Sequence, residues 1–290
     1  MIKVKVPATS GNVGVGFDIL GLALTMYGVF TFTRSESFQI TGCAAEYQNE
    51  ENLVYQSALK AAQVLGKPLP QVKIHIDSPI PLARGLGSSA ACVVAGVMGA
   101  YELLGIPVNK KEVLAIATDI EGHPDNVAPA IYGGFTASLK LEEEVFSFSY
   151  PVDRRIRFLA LTPNVKISTK EARTVLPETI SFQTAVKNLG KLSIFLKAFE
   201  TFDQQAIKMA LSDELHEPYR KTLIPEYEQV KRLCEKHGNI GFYISGSGST
   251  LMNLITEQTD VRALEKELQQ LQNGWVCQTL AIDQEGAKIC

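Results

Sequence analysis

Three stretches of the 290-residue chain carry residue types and spacings that could do chemistry. In PLARGLGSSAA, Pro81 to Ala91, glycines let the backbone turn sharply and approach a ligand, and serines add hydroxyls without bulk. An alternating strand pattern, Val72 to Ile76, precedes the stretch, and an alanine-rich apolar run, Ala90 to Leu104, follows it with helical character. Helix N-terminal amides lack intrahelical partners and carry partial positive charge, so Gly87, Ser88, Ser89 and Ala90 are placed to donate to phosphate oxygens. A side chain at Gly87 is expected to fill space that a phosphate needs. The stretch has no lysine and fits neither GxxxxGK[ST] nor GxGxxG, and the serine-rich loops do not match GxSxG. The second stretch, EGHPDNVAPAIYGGF, brings Glu121, His123, Asp125 and Asn126 within six positions, a cluster able to bind a metal or a substrate, or to form an Asx-type turn. In the third, GFYISGSGSTLMNLI, a glycine-serine turn joins two apolar strand patterns.

The elements that must hold these stretches follow from periodicity. Ile2 to Val6 alternates apolar residues with lysine and predicts a half-buried strand ending at Pro7. Four glycines between residues 11 and 21 then predict a ligand-facing loop over Ala8 to Phe17. Tyr27 to Thr33 reads as a strand; Asn52 to Leu65 reads as a helix stopped by Gly66 and Pro68, and Lys110 to Ile120 as one closed by Gly122 and Pro124. His75 falls on the polar face of its strand and is expected in solvent.

Bulk properties narrow the function classes. The length predicts two domains or one large one. With 28 basic against 31 acidic side chains the net charge is −3, without the basic excess that nucleic-acid binding draws on. Five scattered cysteines with no CxxC pair give neither a disulfide framework nor a zinc site. No apolar run approaches a membrane span of roughly 20 residues, so a cytoplasmic protein is expected.

Taken together, VPATSGNVGVGFDILGLAL, PLARGLGSSAA and GFYISGSGSTLM resemble three motifs of the GHMP kinases; NVGVGFD, EGHPDNVAPA, STKEAR and HEPYR resemble their homoserine kinase branch. The resemblance implies an α+β GHMP kinase fold: a ribosomal protein S5 domain 2-like domain over residues 1–155, a ferredoxin-like α/β sandwich over 156–290, and ATP between them. It implies transfer of phosphate from ATP to the L-homoserine hydroxyl, giving O-phospho-L-homoserine in threonine biosynthesis. ATP contacts would come from Pro81, Leu82, Ala83, Arg84, Gly85, Leu86, Gly87, Ser88, Ser89, Ala90 and Ala91, with Asn52 and Leu53 near adenine. Ser89 and Glu121 would hold Mg²⁺, with Asp119 competing for the acidic role. Asn12, Asp18, His123, Asp125, Arg173 and Arg220 would bind substrate, the arginines clamping its carboxylate through planar guanidinium groups. Thr169 and Asp125 are candidates for receiving the hydroxyl proton, although its direct loss to phosphate or solvent is the expected route. A homodimer is a further family expectation. Another GHMP small-molecule kinase, or a non-catalytic ATP-binding regulator, is the alternative reading.

Overall fold

The computed structural model describes residues 1–290. Its elements run β1 (Ile2–Gly11), β2 (Leu20–Arg34), β3 (Gln39–Thr41), α1 (Leu53–Val64), β4 (Val72–Asp77), α2 (Ser88–Leu104), α3 (Lys110–Glu121), α4 (Pro124–Tyr132), β5 (Phe135–Leu141), β6 (Glu144–Tyr150) and β7 (Arg157–Thr162). There follow α5 (Thr169–Thr174), α6 (Phe182–Thr201), α7 (Gln204–Ala210), α8 (Glu217–Arg220), α9 (Tyr227–Lys236), β8 (Gly241–Ile244), β9 (Leu251–Ile255), α10 (Val261–Leu268), β10 (Val276–Leu280) and β11 (Lys288–Ile289).

The first sheet has the order β11-β1-β2-β4-β3, with β5 pairing the start of β2 and carrying β6 on its outer side. Its first strand is longer than the sequence predicts. Pro7 does not end β1, because the register shifts between Pro7 and Ala8 and such an irregularity tolerates a residue without an amide hydrogen. The strand continues to Gly11, opposite Gly21, so residues 8–11 are sheet and only the following turn is loop. Tyr27 to Thr33 is correspondingly the second half of β2, whose first half opens at Leu20 and carries Gly21, the last of the four glycines counted from sequence. Gly21 is required there, since a side chain would strike the carbonyl of Asp125.

The helices begin where their caps are. Asn52 accepts a hydrogen bond from the Val54 amide at the head of α1, and Asn109 caps α3 in the same way. Helix α2 starts after Gly87 and ends at Gly105, both with left-handed backbones (φ 69° and 67°). Gly96 lets α2 approach α1, since a Cβ there would strike the Val54 carbonyl. The stretch after Gly122 is more than a turn: Pro124 opens α4 at a first-turn position where its missing amide hydrogen costs nothing.

The second sheet, β10-β7-β9-β8, is antiparallel throughout. Strands β7, β8 and β9 are buried on both faces, whereas the edge strand β10 is largely exposed. In β7, Phe158 and Ala160 join the core shared with the first sheet, while Leu159 and Leu161 face a smaller core with Val230 and Cys234 of α9 and Leu264 and Leu268 of α10. Strand β6 ends in the first sheet at Tyr150 and β7 opens the second at Arg157, yet the chain finally returns to the first through β11, where Val4 pairs with Ile289. No helix is long and apolar enough to cross a membrane. The architecture is the expected α+β class.

Candidate active site

The phosphate-loop candidate lies where the two sheets meet and is tied to both. The Thr9 amide donates to the Leu86 carbonyl (3.2 Å), the Ile167 amide to Ala83 (2.9 Å) and the Thr250 amide to Arg84 (3.1 Å), while the Ser245 hydroxyl donates to the Gly85 carbonyl (2.6 Å). Gly85 and Gly87 both have positive φ, a region that side chains disfavour. One expectation needs correction here. A Cβ on Gly87 would strike the Thr9 side chain before anything in the cavity, so this glycine serves the packing of the loop on β1.

A cavity of about 250 Å³ opens in front of the loop. Its walls hold Gly85, Gly87, Ser88 and Ser89 from the loop, Glu121 and His123 from the α3–α4 junction, Asn12 and Asp18 from the β1–β2 turn, Thr169 and Arg173 from α5, and Arg220 from α8. Residues expected from five distant stretches thus meet in one place. Asn12 joins two of the walls: its Nδ2 donates to the Gly246 carbonyl (2.8 Å) and its Oδ1 accepts from the Asp18 amide (2.8 Å). Both Asn12 and Asp18 adopt positive φ, which their short polar side chains tolerate.

Other expected residues lie elsewhere. Leu86, Ala90 and Ala91 are buried in the core, so only backbone groups of those positions are available to a ligand. Pro81 lines a cavity of about 410 Å³ on another side of the loop, with Arg84 common to both. Leu82, Asn52 and Leu53 border a mostly apolar cavity of about 360 Å³ with Tyr47, Ile76, Ile80 and Cys92; Ser88 and Ser89 belong to its wall and to that of the central cavity. The Asn52 side chain is already engaged, accepting from Val54 and donating to the Tyr47 carbonyl. His75 is paired with the Thr41 hydroxyl (3.0 Å) on the strand surface.

The charged groups are unequally satisfied. The Ser89 hydroxyl donates to Glu121 (2.8 Å), whose carboxyl is pushed above its ordinary value by burial, with the serine hydrogen bond acting against that rise. Asp119 instead turns to Lys140 (2.6 Å), outside the cavity. Asp125 is fully buried and forms no part of the cavity wall; it grips His123 at Nδ1 (2.5 Å), leaving Nε2 as the free ring nitrogen. Burial opposes the charged imidazole, but the hydrogen bond and charge of Asp125 outweigh it and raise the His123 value. Arg173 donates through Nη2 to both oxygens of Asp18 (2.9 and 3.0 Å). Arg220, only 2% exposed, is held through Nε by the Ala172 carbonyl and through Nη1 by that of Gly246, both at 3.1 Å. Burial lowers it to about 10, with Arg173 adding repulsion and Asp18 opposing the fall.

Asp18, His123 and Asp125 bring ligand atoms within 4.8 Å of one another, a geometry that could hold a cation. Arg173, paired with that same Asp18, makes a metal there electrostatically unfavourable. Asn126, read from sequence as part of the cluster with Glu121 and His123, also lines the cavity, as do Ile167, Ser168, Gly246 and Ser247, which were not named as site residues. For Gly246 and Ser247 a signal existed. They stand in the SGSGS turn of the third stretch, longer than the two residues a tight hairpin needs.

The comparisons agree with this arrangement. Residues 52–134 match the family model for the GHMP kinases N terminal domain, and residues 195–273 match that for GHMP kinases C terminal. A homoserine kinase of Clostridium botulinum (strain ATCC 19397 / Type A) is 41% identical over 292 residues, covering 100% of this chain and 98% of that protein. One from Clostridium acetobutylicum is 37% identical, with both chains covered fully. The crystal structure of homoserine kinase from Cytophaga hutchinsonii superposes with a TM-score of 0.86 at 31% identity, over 100% of this chain and 97% of that one. Full-length likeness in sequence and in fold, reaching every stretch that builds the cavity, places the chain in the homoserine kinase family of the GHMP kinases.

Proposed function

We propose that this chain transfers the terminal phosphoryl group of ATP to the hydroxyl of L-homoserine, giving ADP, O-phospho-L-homoserine and a proton, as a step of threonine biosynthesis. The observation that carries the reading is one cavity with an oxyanion cradle at the head of α2 on one wall and amino-acid-complementary groups, Asp18, Arg173 and Arg220, on others. The adenine is assigned to the adjoining apolar cavity, with Leu53 at its edge and Asn52 shaping the wall as a helix cap. The loop's backbone amides and helix dipole do the work a lysine does in other phosphate loops.

Mg²⁺ fits Ser89 and Glu121. The half-buried Glu121 carboxylate has a neutral hydroxyl as its one hydrogen-bond donor and no cation bonded to it, and a divalent ion would supply that partner beside the more distant charge of His123. When bound there, the ion would neutralise charge on the transferring phosphoryl group. The substrate side is built by the chain itself. Arg220 has Nη2 left over after Nε and Nη1 are tied to carbonyls, and that edge is assigned to the substrate carboxylate. Arg173 is assigned the second contact and Asp18 the ammonium, Asn12 fixing the turn that carries Asp18. His123, held by Asp125, is assigned a substrate contact through Nε2. Asp125 is too deeply enclosed to take the hydroxyl proton directly, and the Thr169 hydroxyl is a weak base, so the proton goes to phosphate or solvent. On this reading the domains divide at residues 155 and 156, and a cytoplasmic homodimer is retained from the family.

The test is ADP release by purified protein with ATP, Mg²⁺ and L-homoserine, set against mevalonate as acceptor. Homoserine-dependent release that disappears on chelation is expected. ATP binding without release would mark a regulator, and release with mevalonate alone would mark a different small-molecule kinase.

A further inference from the structure

Phe17 has no polar atom and no place in the chemistry above, yet it stands among the charged groups of the substrate wall. Its ring stacks on His216 with centroids 5.1 Å apart and planes 26° from parallel. The guanidinium carbons of Arg220 and Arg173 lie over the same ring at 5.0 and 5.8 Å. His216 is itself locked: it is 1% exposed, and its amide donates to Asp213 Oδ2 (2.7 Å), which also receives the amides of Leu215 (3.0 Å) and Glu217 (2.9 Å).

Two guanidinium groups brought close enough to bind one carboxylate repel each other when that carboxylate is absent. In this structure Asp18 neutralises Arg173, while Arg220 has only carbonyls as hydrogen-bond partners. An aromatic face attracts cations through its quadrupole, most strongly where water is excluded, and here one face system serves both. We propose that Phe17 is a positioning residue that holds Arg220 and Arg173 together, ready for the substrate carboxylate, and that the capped turn at Asp213 and His216 fixes its ring. This rests on the reading of those arginines given above and adds a determinant of specificity for a negatively charged substrate.

The experiment compares wild type with Phe17→Leu and Phe17→Tyr in steady-state kinetics, varying homoserine and ATP separately. Phe17→Leu is expected to raise the homoserine KM about tenfold, with kcat and the ATP KM within about twofold of wild type. Phe17→Tyr, which keeps the π face, is expected to stay near wild type. An unchanged homoserine KM in Phe17→Leu, a parallel rise of both KM values, or a tyrosine variant as poor as the leucine one would each overturn the proposal. A second arm needs no turnover. In ¹⁵N-arginine-labelled protein, the Arg220 side-chain resonance, assigned by its loss in Arg220→Lys, is expected to show hindered guanidinium rotation that Phe17→Leu releases. If wild type fails to phosphorylate homoserine, the functional reading falls, and this arm alone decides whether Phe17 orders the arginine; identical rotation in wild type and Phe17→Leu then sinks the positioning role too.

Discussion

Glu121 and Asp119 are two residues apart on one helix end, and sequence alone left them competing for the same ion. The structure separates them by direction, since Glu121 meets Ser89 in the cavity while Asp119 meets Lys140 at the surface. Glu121→Gln is therefore expected to cut turnover by roughly tenfold or more and to raise the Mg²⁺ concentration needed for half-activity. Asp119→Asn removes a largely exposed ion pair of the kind worth about 0–1 kcal/mol and should leave both nearly unchanged. A Mg²⁺ titration of both variants decides the assignment, the opposite ranking moving the metal to Asp119. The enclosure of Arg220 supports a second expectation at this scale. Arg220→Met should cost roughly 2–5 kcal/mol in kcat/KM for homoserine and much less for a homoserine ester, with ATP affinity little changed. Loss of the bonds to Ala172 and Gly246 would weaken the site for acid and ester alike, so their ratio isolates the carboxylate contact. Gly87 was read from sequence as leaving room for phosphate, whereas it leaves room for Thr9. Gly87→Ala is accordingly expected to lower stability, by about 1–3 kcal/mol from the left-handed backbone, besides any effect on ATP. A thermal midpoint equal to that of wild type would return the glycine to its first role.

Elements were legible where a local rule governs them. The cap at Asn52, the stop at Gly105 and the strand before the phosphate loop each follow from residues within one turn of the boundary. The errors lie where a distant partner decides. Pro7 halts a strand by local rule, but the irregular register and the cover provided by Ser245 and Tyr243 over Ser10 keep Ala8 to Gly11 in the sheet. Strand β11 has only two residues and pairs with the opposite end of the chain, which no periodicity can reveal. The α8–α9 unit was readable only as the HEPYR motif; its buried polar interior was not. There the Tyr227 hydroxyl donates to Glu217 Oε1, and the other carboxylate oxygen has no partner. Burial pushes the Glu217 carboxyl up to about 7 against an ordinary 4.5. A carboxyl raised in the folded state favours folding fully below about pH 4.5, and that contribution is lost as pH rises through about 7, at a scale of about 3 kcal/mol. Glu217→Gln keeps an acceptor for Tyr227 and removes the titration. Its thermal midpoint relative to wild type is expected to climb between pH 4.5 and 8, and a constant difference across that range would contradict the buried charge. His216, held down to about 4 chiefly by burial, titrates in both proteins and cancels in the comparison.

At the scale of the whole molecule, the two family domains share one interior. The larger core joins Val4, Phe30 and Ala95 of the first half to Phe158, Phe199, Tyr243 and Leu254 of the second. Phe135 on β5 packs edge-on against Phe195 and Phe199 of α6. The phosphate loop is bonded to both sheets, and β11 closes the chain back onto β1. A site formed by Asp18 from one half and Arg173 and Arg220 from the other requires this, because angstrom-scale slippage would open the carboxylate clamp. The consequence is cooperative unfolding in a chain long enough for two independent domains. The single tryptophan, Trp275, is buried in the smaller core behind the second sheet, with its indole nitrogen donating to Glu226 (2.8 Å), so its fluorescence reports that layer alone. Far-ultraviolet circular dichroism reports helices of both halves. In a urea titration the two signals should follow coincident transitions, the test of two-state behaviour. Deleting residues 286–290 removes β11 and is expected to shift both midpoints downward together, even though Trp275 lies in the other sheet. A fluorescence transition at lower urea than the dichroism, or a truncation that moves only the dichroism, would mean that the halves melt separately and that the shared core does not couple them.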